Sequence, residues 1–127
     1  EGAFNYESGV KAAERLLSRD HRPTAIFAAN DEMAFGVMHV AHEMELKIPD
    51  DLSLVGFDGT SFSSFVIPAL STIRRQTDEM ARLGTKKLMA LIDEGPDAAR
   101  EFETMVSPRF VPRESTGPAP IAQPLSF

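Results

Sequence analysis

The stretch TAIFAANDEMAFG, from Thr24 to Gly36, contains the change of pattern that decides the fold class. Its apolar run over residues 24–29 is short and continuous, which is typical of a strand buried on both faces of a parallel sheet. A helical pattern begins at Asp31, directly after Asn30. The stretch therefore predicts a strand followed at once by a helix, with two polar residues at the carboxyl end of the strand.

Strands and helices alternate on both sides of this junction. Helices are predicted over residues 8–18, 31–44 and 77–93, with Ser8 as the cap of the first and Thr77 as the cap of the third. A second buried strand is predicted over residues 52–58, followed by a loop with a short helical turn and an extended segment, STIRRQ. This alternation predicts an α/β chain with a parallel sheet flanked by helices and a ligand crevice at the carboxyl ends of the strands.

The third predicted helix and the segments after it complete the pattern. Residues 105–115 are predicted to form an interrupted strand, because Pro108 and Pro112 lack the N–H that a sheet requires. Residues 117–127 are rich in proline and are predicted to form a loose tail. Five apolar side chains of the third helix are predicted to lie inside: Met80, Leu83, Leu88, Leu91 and Ile92.

The composition excludes several classes of function. The chain has 127 residues, no cysteine, and 19 acidic against 13 basic residues, for a formal net charge of −6. This balance lacks the basic surface that binds nucleic-acid phosphates, and the absence of cysteine excludes disulfides and thiolate metal sites. No apolar run approaches the roughly 18 residues of a membrane span, so we expect a cytoplasmic protein with no membrane partner. The opening residues, EGAFNYESG, lack an initiator Met, and we expect a fragment of a longer protein.

Asn30 and Asp58 are the candidate ligand-binding residues, since each follows or ends a predicted strand at the edge where the crevice lies. Asn30 can cap the following helix, or it can offer an amide donor and acceptor to a polar ligand. A carboxylate at Asp58 can accept two hydroxyl hydrogen bonds, which suits a sugar or a polyol, or it can cap its own loop. Both alternatives stay open for each residue.

The helix over residues 31–44 has apolar residues on two faces. Phe35, Met38 and His42 lie on one face, and an aromatic and a methionine in such a position are typical of a subunit contact. The alternative is that another part of a longer chain covers this face. The opposite face is predicted to pack on the sheet and contains Met33, Val37, Val40, Ala41 and Met44.

The sequence contains no recognisable catalytic, metal or phosphate motif. His39 and His42 match no zinc-binding spacing, and the serines of GTSFS lack both the second glycine of a nucleophile elbow and an evident base. We therefore expect no enzyme, no metal and no cofactor. Arg74 and Arg75 are solvated arginines in one interpretation, while in the other an arginine in the crevice favours a ligand with a carboxylate or phosphate.

Four motifs in their order and spacing resemble one protein family. PTAIFAANDEMAFG, IPDDLSLVGFD, PALSTIRRQTDEMARLG and PRFVPREST are similar to the effector-binding core of lactose/galactose-repressor (LacI/GalR) type transcriptional regulators, over residues 1–116. The resemblance implies a two-lobed periplasmic-binding-protein-like fold of type I, with each lobe a three-layer αβα arrangement. It further implies that this chain is a partial second lobe, that helix 77–93 belongs to the first lobe, and that the DNA-binding headpiece is absent.

The resemblance also assigns roles to individual residues. Phe4 matches the aromatic residue that packs on the effector ring, Asn30 the crevice asparagine, and Asp58 the aspartate that bonds effector hydroxyls. Phe35 and the loop SSFVIP, which contains Phe65, match regions that pack across the dimer, in agreement with the second face of the helix.

Two positions depart from the family pattern. Arg75 stands where Gln is usual, which makes a more anionic effector conceivable. Glu45 stands where a glycine usually ends the second helix. It costs about 1 kcal/mol if the left-handed turn persists, unless the helix runs on instead.

These observations predict the effector-sensing and dimerisation part of a repressor that binds a small sugar-like ligand. Its partners are a second copy of the chain and, through the missing headpiece, operator DNA. A periplasmic sugar-binding or solute-binding protein of the same fold is the alternative, and a serine hydrolase is a third.

Overall fold

The computed structural model describes residues 2–95, 97 and 105–120. Its contacts divide the chain into two compact units, one formed by Glu1–Arg74 with Phe110–Phe127 and the other by Arg75–Arg109. The elements in chain order are α1 (Tyr6–Leu17), β1 (Ala25–Phe27), α2 (Asp31–Glu43), β2 (Ser53–Asp58), a 3-10 turn (Ser61–Ser64), β3 (Ser71–Arg74), α3 (Thr77–Asp93) and β4 (Arg109–Val111).

The sheet has the strand order β1-β2-β3-β4, and its first three strands are parallel. The register pairs Phe27 with Val55 and Val55 with Ser71, so the carboxyl ends of β1, β2 and β3 lie at one edge. The predicted α/β class, with a parallel sheet flanked by helices, is confirmed. So is the short helical turn in the loop before β3.

β1 is less covered than predicted. The prediction of burial on both faces is wrong, since Ala25 is exposed and Phe27 is 63% exposed. Ile26 pairs with the buried Leu54 and lies on the inner face, whereas Phe27 lies on the opposite face. A continuous apolar run therefore indicated a strand without showing that both of its faces are covered within the described residues.

The core lies between α2 and the sheet and continues into the contact of α1 with α2. Gly9 of α1 and Gly36 of α2 bring the two helix backbones together: a Cβ at Gly9 would lie 2.7 Å from Met33 Cα, and one at Gly36 would lie 2.7 Å from Val10 N. The buried apolar residues are Ala13, Leu17, Ala28, Ala34, Val37, Val40, Ala41, Leu52, Leu54 and Leu70. Met44, predicted on the packed face of α2, is 40% exposed.

Two predicted helix caps are wrong. α1 begins at Tyr6, and its N-cap is Asn5, whose side chain accepts a hydrogen bond from Ser8 N at 3.0 Å. Ser8 is the third helical residue and completes a capping box, because its hydroxyl reaches Asn5 N. α3 begins at Thr77 after Gln76, whose side chain makes no capping hydrogen bond.

The apolar stripe of α3 is exposed, which contradicts the prediction that its side chains lie inside. No residue of α3 is buried. Four of the five predicted residues are at least 40% exposed, namely Met80, Leu88, Leu91 and Ile92. The spacing predicted the helix and its face, but nothing within the described residues buries that face.

The start of the predicted tail is attached to the sheet. Gly117 donates its N–H to Ser53 Oγ at 3.1 Å, and its carbonyl accepts from the same hydroxyl at 3.2 Å. Ser115 is buried and donates its hydroxyl to Leu54 O at 2.6 Å. The prediction of a loose tail is therefore wrong at Gly117, and residues 121–127 lie outside the described residues.

No helix in the described ranges is long and apolar enough to cross a membrane.

Candidate functional site

Asn30 is the N-cap of α2 and also contacts the chain before α1. Its Oδ1 accepts a hydrogen bond from Met33 N at 2.8 Å, and its Nδ2 donates to Phe4 O at 2.9 Å. A carboxamide has two N–H donors and two acceptor lone pairs, so these contacts use one of each. The capping interpretation is confirmed. The remaining donor and acceptor are compatible with a ligand role.

Phe4 lies beside Asn30 with an unusual backbone. Its φ is 54°, in the left-handed region, and its side chain is 66% exposed. The hydrogen bond from Asn30 holds its carbonyl, so two of the predicted ligand residues are brought together. Phe4 therefore combines an exposed apolar ring with a backbone carbonyl bonded to a polar amide, and ligand sites commonly combine apolar surface with a few polar groups.

Asp58 ends β2 in a strained turn. Its φ is 113°, and the next residue, Gly59, has φ 71°. An aspartate in this region costs of the order of 1–3 kcal/mol of backbone strain, and such strain concentrates at functional sites. Gly59 fits because a Cβ there would lie 2.8 Å from Arg74 Cα. The turn directs a half-buried carboxylate to the same edge of the sheet as Asn30.

Asp31 has a role that the sequence did not predict. It is completely buried, and its Oδ2 accepts from Thr60 N at 2.7 Å and from Thr60 Oγ1 at 2.9 Å. Its Oδ1 accepts from Thr72 Oγ1 at 2.5 Å. A Cβ at Gly56 would overlap Oδ1, so the strand lacks a side chain where the carboxylate lies. The glycine inside a predicted strand was the available signal, since such glycines mark close approaches.

A second surface joins α2 to the loop after the 3-10 turn. We call it the α2–loop face and define it by Met38, His42 and Ile67, which line one groove, together with Phe65 of the same loop. A shallow groove of about 100 Å³ is lined by Met38, His42 and Ile67 together with Leu46, Ile48 and Pro68. Phe65 is 76% exposed and Ile67 is 94% exposed, so the face presents large apolar side chains to solvent. Phe35 and Met38, two predicted contact residues on α2, are both half-buried and pack against the core.

Arg113 fixes the loop that contains Phe65. Its Nη1 donates to Ser63 Oγ at 2.9 Å and to Leu70 O at 2.6 Å, on either side of Phe65 in the sequence. Sequence reasoning did not predict this role, although Arg113 belongs to the VPREST motif.

Arg75, the fourth predicted ligand residue, is exposed and belongs to the second compact unit. Its role stays a prediction. Among the residues that the structure describes, no three His, Asp or Glu side chains are arranged to hold a metal ion.

A family model described as the periplasmic binding protein-like domain matches residues 2–116. The chain belongs to that family. Within the periplasmic-binding-protein-like fold, the polar residues at the carboxyl ends of β1 and β2 occupy the edge where open parallel sheets bind their ligands.

Curated relatives of this periplasmic-binding-protein-like chain are repressors. The probable HTH-type transcriptional repressor ExuR of Bacillus subtilis (strain 168) is 40% identical over 115 residues, which are 91% of this chain and 34% of the relative. The HTH-type transcriptional repressor PurR of Klebsiella pneumoniae (strain 342) is 37% identical over 120 residues, which are 94% of this chain and 35% of the relative. The chain therefore spans about a third of the length of these relatives.

Two solved structures with the same fold are regulators. The lac repressor dimer bound to operator and the anti-inducer ONPF matches with a TM-score of 0.82 at 31% identity, covering 91% of this chain and 40% of that chain. A LacI family transcriptional regulator from Enterococcus faecium with bound ribose matches with a TM-score of 0.78 at 31% identity, covering 93% of this chain and 42% of that chain. The resemblance to lactose/galactose-repressor-type regulators is confirmed.

Proposed function

We propose that this chain is the effector-binding and dimerisation part of a DNA-binding transcriptional repressor. The observation that carries the proposal is the placement of Asn30 and Asp58. Phe27 and Val55 are register partners on neighbouring parallel strands. Asn30 lies three residues beyond Phe27, and Asp58 lies three residues beyond Val55, so the two polar residues lie at the same level along the strand direction. The relatives named as repressors support the regulatory class.

The ligand that fits these residues is a small sugar or a related polyol. The Phe4 ring covers an apolar face of the ligand, the Asn30 amide donates and accepts one hydrogen bond each, and the Asp58 carboxylate accepts from hydroxyl groups. Arg75 adds a preference for a carboxylate or phosphate substituent, because its guanidinium bonds such groups in pairs. The ribose in the Enterococcus faecium regulator supports the sugar class.

The intact protein then works by closure of two lobes around the effector. In this arrangement residues 1–116 form a partial effector-binding domain, helix 77–93 belongs to the first lobe, and residues 117–127 follow as a tail whose first residue, Gly117, is bonded to the sheet. The assignment of α3 to a separate compact unit supports this division. Effector binding shifts the geometry of a homodimer and so changes its affinity for operator DNA, which a headpiece outside this chain contacts. The site of action is the cytoplasm, where operator DNA is found.

The α2–loop face is the proposed dimer contact, with Phe65 and Met38 as its apolar centre and with His42 and Phe35 beside them. Phe65→Asp places a charge in this contact and is expected to convert the intact dimer to monomers at micromolar concentration, as measured by light scattering after gel filtration. Lys47→Gln, an exposed position beyond α2 that changes the net charge by the same one unit, is the control and should leave the dimer intact. A dimeric Phe65→Asp variant would remove this face from the proposal.

An enzyme is not part of the proposal. Ser63 Oγ donates to Thr60 O, and Ser64 Oγ donates to Ser61 O, so both hydroxyls form local turn contacts. Hydrolysis of an ester or glycoside by the purified intact protein, abolished by Ser61→Ala, would contradict this.

The ligand class is tested by thermal shift of the intact protein against D-ribose, D-galactose, D-mannitol, D-glucuronate and adenosine, which we call the effector panel. A ligand that binds the folded form raises the melting temperature, so at least one member should raise it by several degrees. No increase with any member would contradict the proposed ligand class.

The site is tested with Asp58→Ala in the intact protein. Loss of a charged acceptor should weaken binding of the panel member that raises the melting temperature most by about 10-fold or more. Affinity for an operator selected from a random-sequence DNA library should stay unchanged. Equal effector affinity in the variant and the wild type would overturn the assignment. Arg75→Gln refines the test, since it should weaken binding of D-glucuronate more than binding of D-galactose.

A further inference from the structure

Asp31 connects the segments that contain Asn30 and Asp58, the two polar residues proposed to contact the effector. Its own carboxylate is completely buried and is therefore inaccessible to an effector. Asp31 follows Asn30 directly in the chain. Thr60, which donates to it twice, is two residues after Asp58. One fully buried side chain therefore connects the start of α2 to the turn at the end of β2.

Thr72 extends this network to β3. Its hydroxyl donates to Asp31 Oδ1 and accepts the N–H of Gly59 at 3.3 Å. Thr72 is also completely buried. The backbone N–H groups of Gly59 and Thr60 are thus both held by the network, one through Thr72 and one by Asp31 directly. These are the two residues that follow Asp58, whose own backbone is strained.

We propose that Asp31, together with Thr60 and Thr72, is the positioning group that fixes the turn at Asp58 and Gly59 relative to Asn30, and thereby sets the affinity for the effector. The inference rests on the proposed function, because it concerns the same crevice. A turn in the left-handed region relaxes unless the surrounding structure holds it, and the network supplies that hold. An effector then meets a preformed pair of polar groups and does not have to order the turn on binding.

The chemistry of the network makes the carboxylate specific. Asp31 accepts three hydrogen bonds and donates none. In Asp31→Asn the amide oxygen can accept from Thr60, but the NH₂ group must then face Thr72, whose own O–H loses the acceptor that Asp31 Oδ1 provides. Asparagine keeps the size of the side chain and loses the match of donors to acceptors. The turn is therefore expected to loosen without any change in volume.

A substitution that adds volume can displace the Asp31 carboxylate without removing any hydrogen-bonding atom. Gly56→Ala places a methyl group against Asp31 Oδ1 and within 3.0 Å of Leu70 Cδ2. It is expected to displace the carboxylate and weaken effector binding, although Gly56 contacts no ligand in the proposed site.

The test measures effector affinity of the intact protein by titration calorimetry, with the panel member that raises the melting temperature most. Thr72→Val keeps the shape of the side chain and removes the hydroxyl, and we expect affinity to fall about 10-fold, as for Asp31→Asn. Thr72→Ser keeps the hydroxyl and should bind within two-fold of the wild type. Operator affinity without effector should be unchanged in all three variants.

Ser115→Ala is the matched control for a loss of stability. Ser115 is also a completely buried hydroxyl residue, and it donates to Leu54 O and accepts from Ser71 N. These partners lie toward the amino ends of β2 and β3, away from the crevice. Ser115→Ala should therefore lower the melting temperature as Thr72→Val does, while it leaves effector affinity within two-fold of the wild type.

A second measurement follows the turn without any ligand. Hydrogen exchange at the N–H groups of Gly59 and Thr60 should be about 10-fold faster in Thr72→Val and Asp31→Asn than in Ser115→Ala. Because hydrogen exchange reports on the turn itself, it distinguishes a loosened turn from weak binding that is caused by poor folding. Equal exchange rates in all three variants would contradict the inference.

The outcomes separate the inference from the proposed function. If Asp58→Ala weakens effector binding but Thr72→Val binds as the wild type does, the inference is wrong and the proposed site stands. If Ser115→Ala weakens binding as much as Thr72→Val, the effect is general softening and the inference is wrong. If no panel member binds, or if Asp58→Ala binds as the wild type does, both are overturned.

Discussion

The helices α2 and α3 both have apolar residues at helical spacing in the sequence, but they have opposite environments in the structure. α2 buries four apolar side chains, Ala34, Val37, Val40 and Ala41, as well as Gly36 and Asp31. α3 is four residues longer and buries none. The difference teaches that helical periodicity predicts a face that needs cover, while the partner that covers it has to be found elsewhere.

The carboxyl ends of the two helices also differ, in the residue that adopts the left-handed conformation. After α2, Glu45 adopts φ 56°, with its N–H bonded to His42 O at 3.0 Å and that of Leu46 to Ala41 O at 2.8 Å. This is the hydrogen-bond pattern of a Schellman motif, and the left-handed turn persists although the residue is not glycine. After α3, the residue with positive φ is Gly95, which adopts it without strain. The helix that packs in the core tolerates the costlier ending.

The glycines of the two helices offer the strongest test of this comparison. In the 127-residue chain, Gly36→Ala should lower the free energy of unfolding by about 2 kcal/mol, because the new methyl group lies 2.7 Å from Val10 N and overpacks the contact with α1. Gly84→Ala in α3 meets no atom within 4 Å and should raise it by about 0.5–1 kcal/mol through helix propensity. Urea unfolding measures both. Shifts of the same sign would contradict the contrast between the helices.

Leu88 tests what covers α3. Its side chain is 56% exposed, so Leu88→Ala in the 127-residue chain should change the free energy of unfolding by less than about 0.5 kcal/mol. In the intact protein the first lobe is proposed to bury this face, and the same change should cost about 2 kcal/mol. Lys86→Ala, an exposed neighbour, is the control in both proteins. Equal small effects in both would mean that α3 stays uncovered.

Glu45→Gly tests the strained end of α2. Glycine adopts the left-handed conformation freely, so the variant should be more stable than the wild type by about 1 kcal/mol in urea unfolding. Glu45→Ala removes the side chain but keeps the Cβ, and it should show none of this gain. If the two variants behave alike, the side chain and not the backbone determines the cost.

The smallest expected effect is a titration in α3. Hydrogen bonds from Arg82 to Glu79, one of them 2.8 Å from Nε to Oε2, lower the pKa of the Glu79 carboxyl below its ordinary value of 4.5. The pair therefore stabilises the folded chain above the unfolded pKa, and this contribution is lost as the pH falls through the folded pKa. Carbon-detected NMR titration measures the shift, and Arg82→Gln should raise the Glu79 pKa again. The Arg82 side chain is 50% exposed and the Glu79 side chain is 40% exposed, so a high salt concentration should weaken the effect.

Much of the fold could be predicted from local signals. Periodicity predicted the first residue of α2 and both ends of α3 correctly, and it placed the last residue of α2 one position too late. The alternation of elements predicted the parallel sheet. The cap at Asn5 was missed because Ser8 is also a good capping residue, and only the backbone shows that it lies three residues inside. Thr77 was mistaken for a cap because threonine is also a good capping residue, whereas the backbone shows that it is the first helical residue.

The candidate site was predicted only in part, for a physical reason. Asn30 and Asp58 could be found because each is polar at the end of an apolar run. Asp31 looked like an ordinary helix-start aspartate, and its hydrogen bonds reach Thr60 and Thr72, which are 29 and 41 residues away in the chain. Partners at such distances are set by the topology of the sheet and leave no periodic mark. The close contact at Gly36 was hidden likewise, because a glycine inside a helix does not identify its neighbour.

The hydrogen bonds of Ser115 and Gly117 bear on the order in which the ribosome can complete this fold. The hydrogen-bond partners of Leu54 and Ser53 lie 61 and 64 residues later in the chain, so they are synthesised later. Contacts of such sequence separation are slow to form, and chains emerge at about 5–20 residues per second. The helices and the crevice end of the sheet can therefore assemble during translation, while the amino ends of β2 and β3 remain open for several seconds. During that interval the nascent chain presents unpaired strand backbone, which makes it a candidate for chaperone binding until residues 115–117 have been synthesised and have docked.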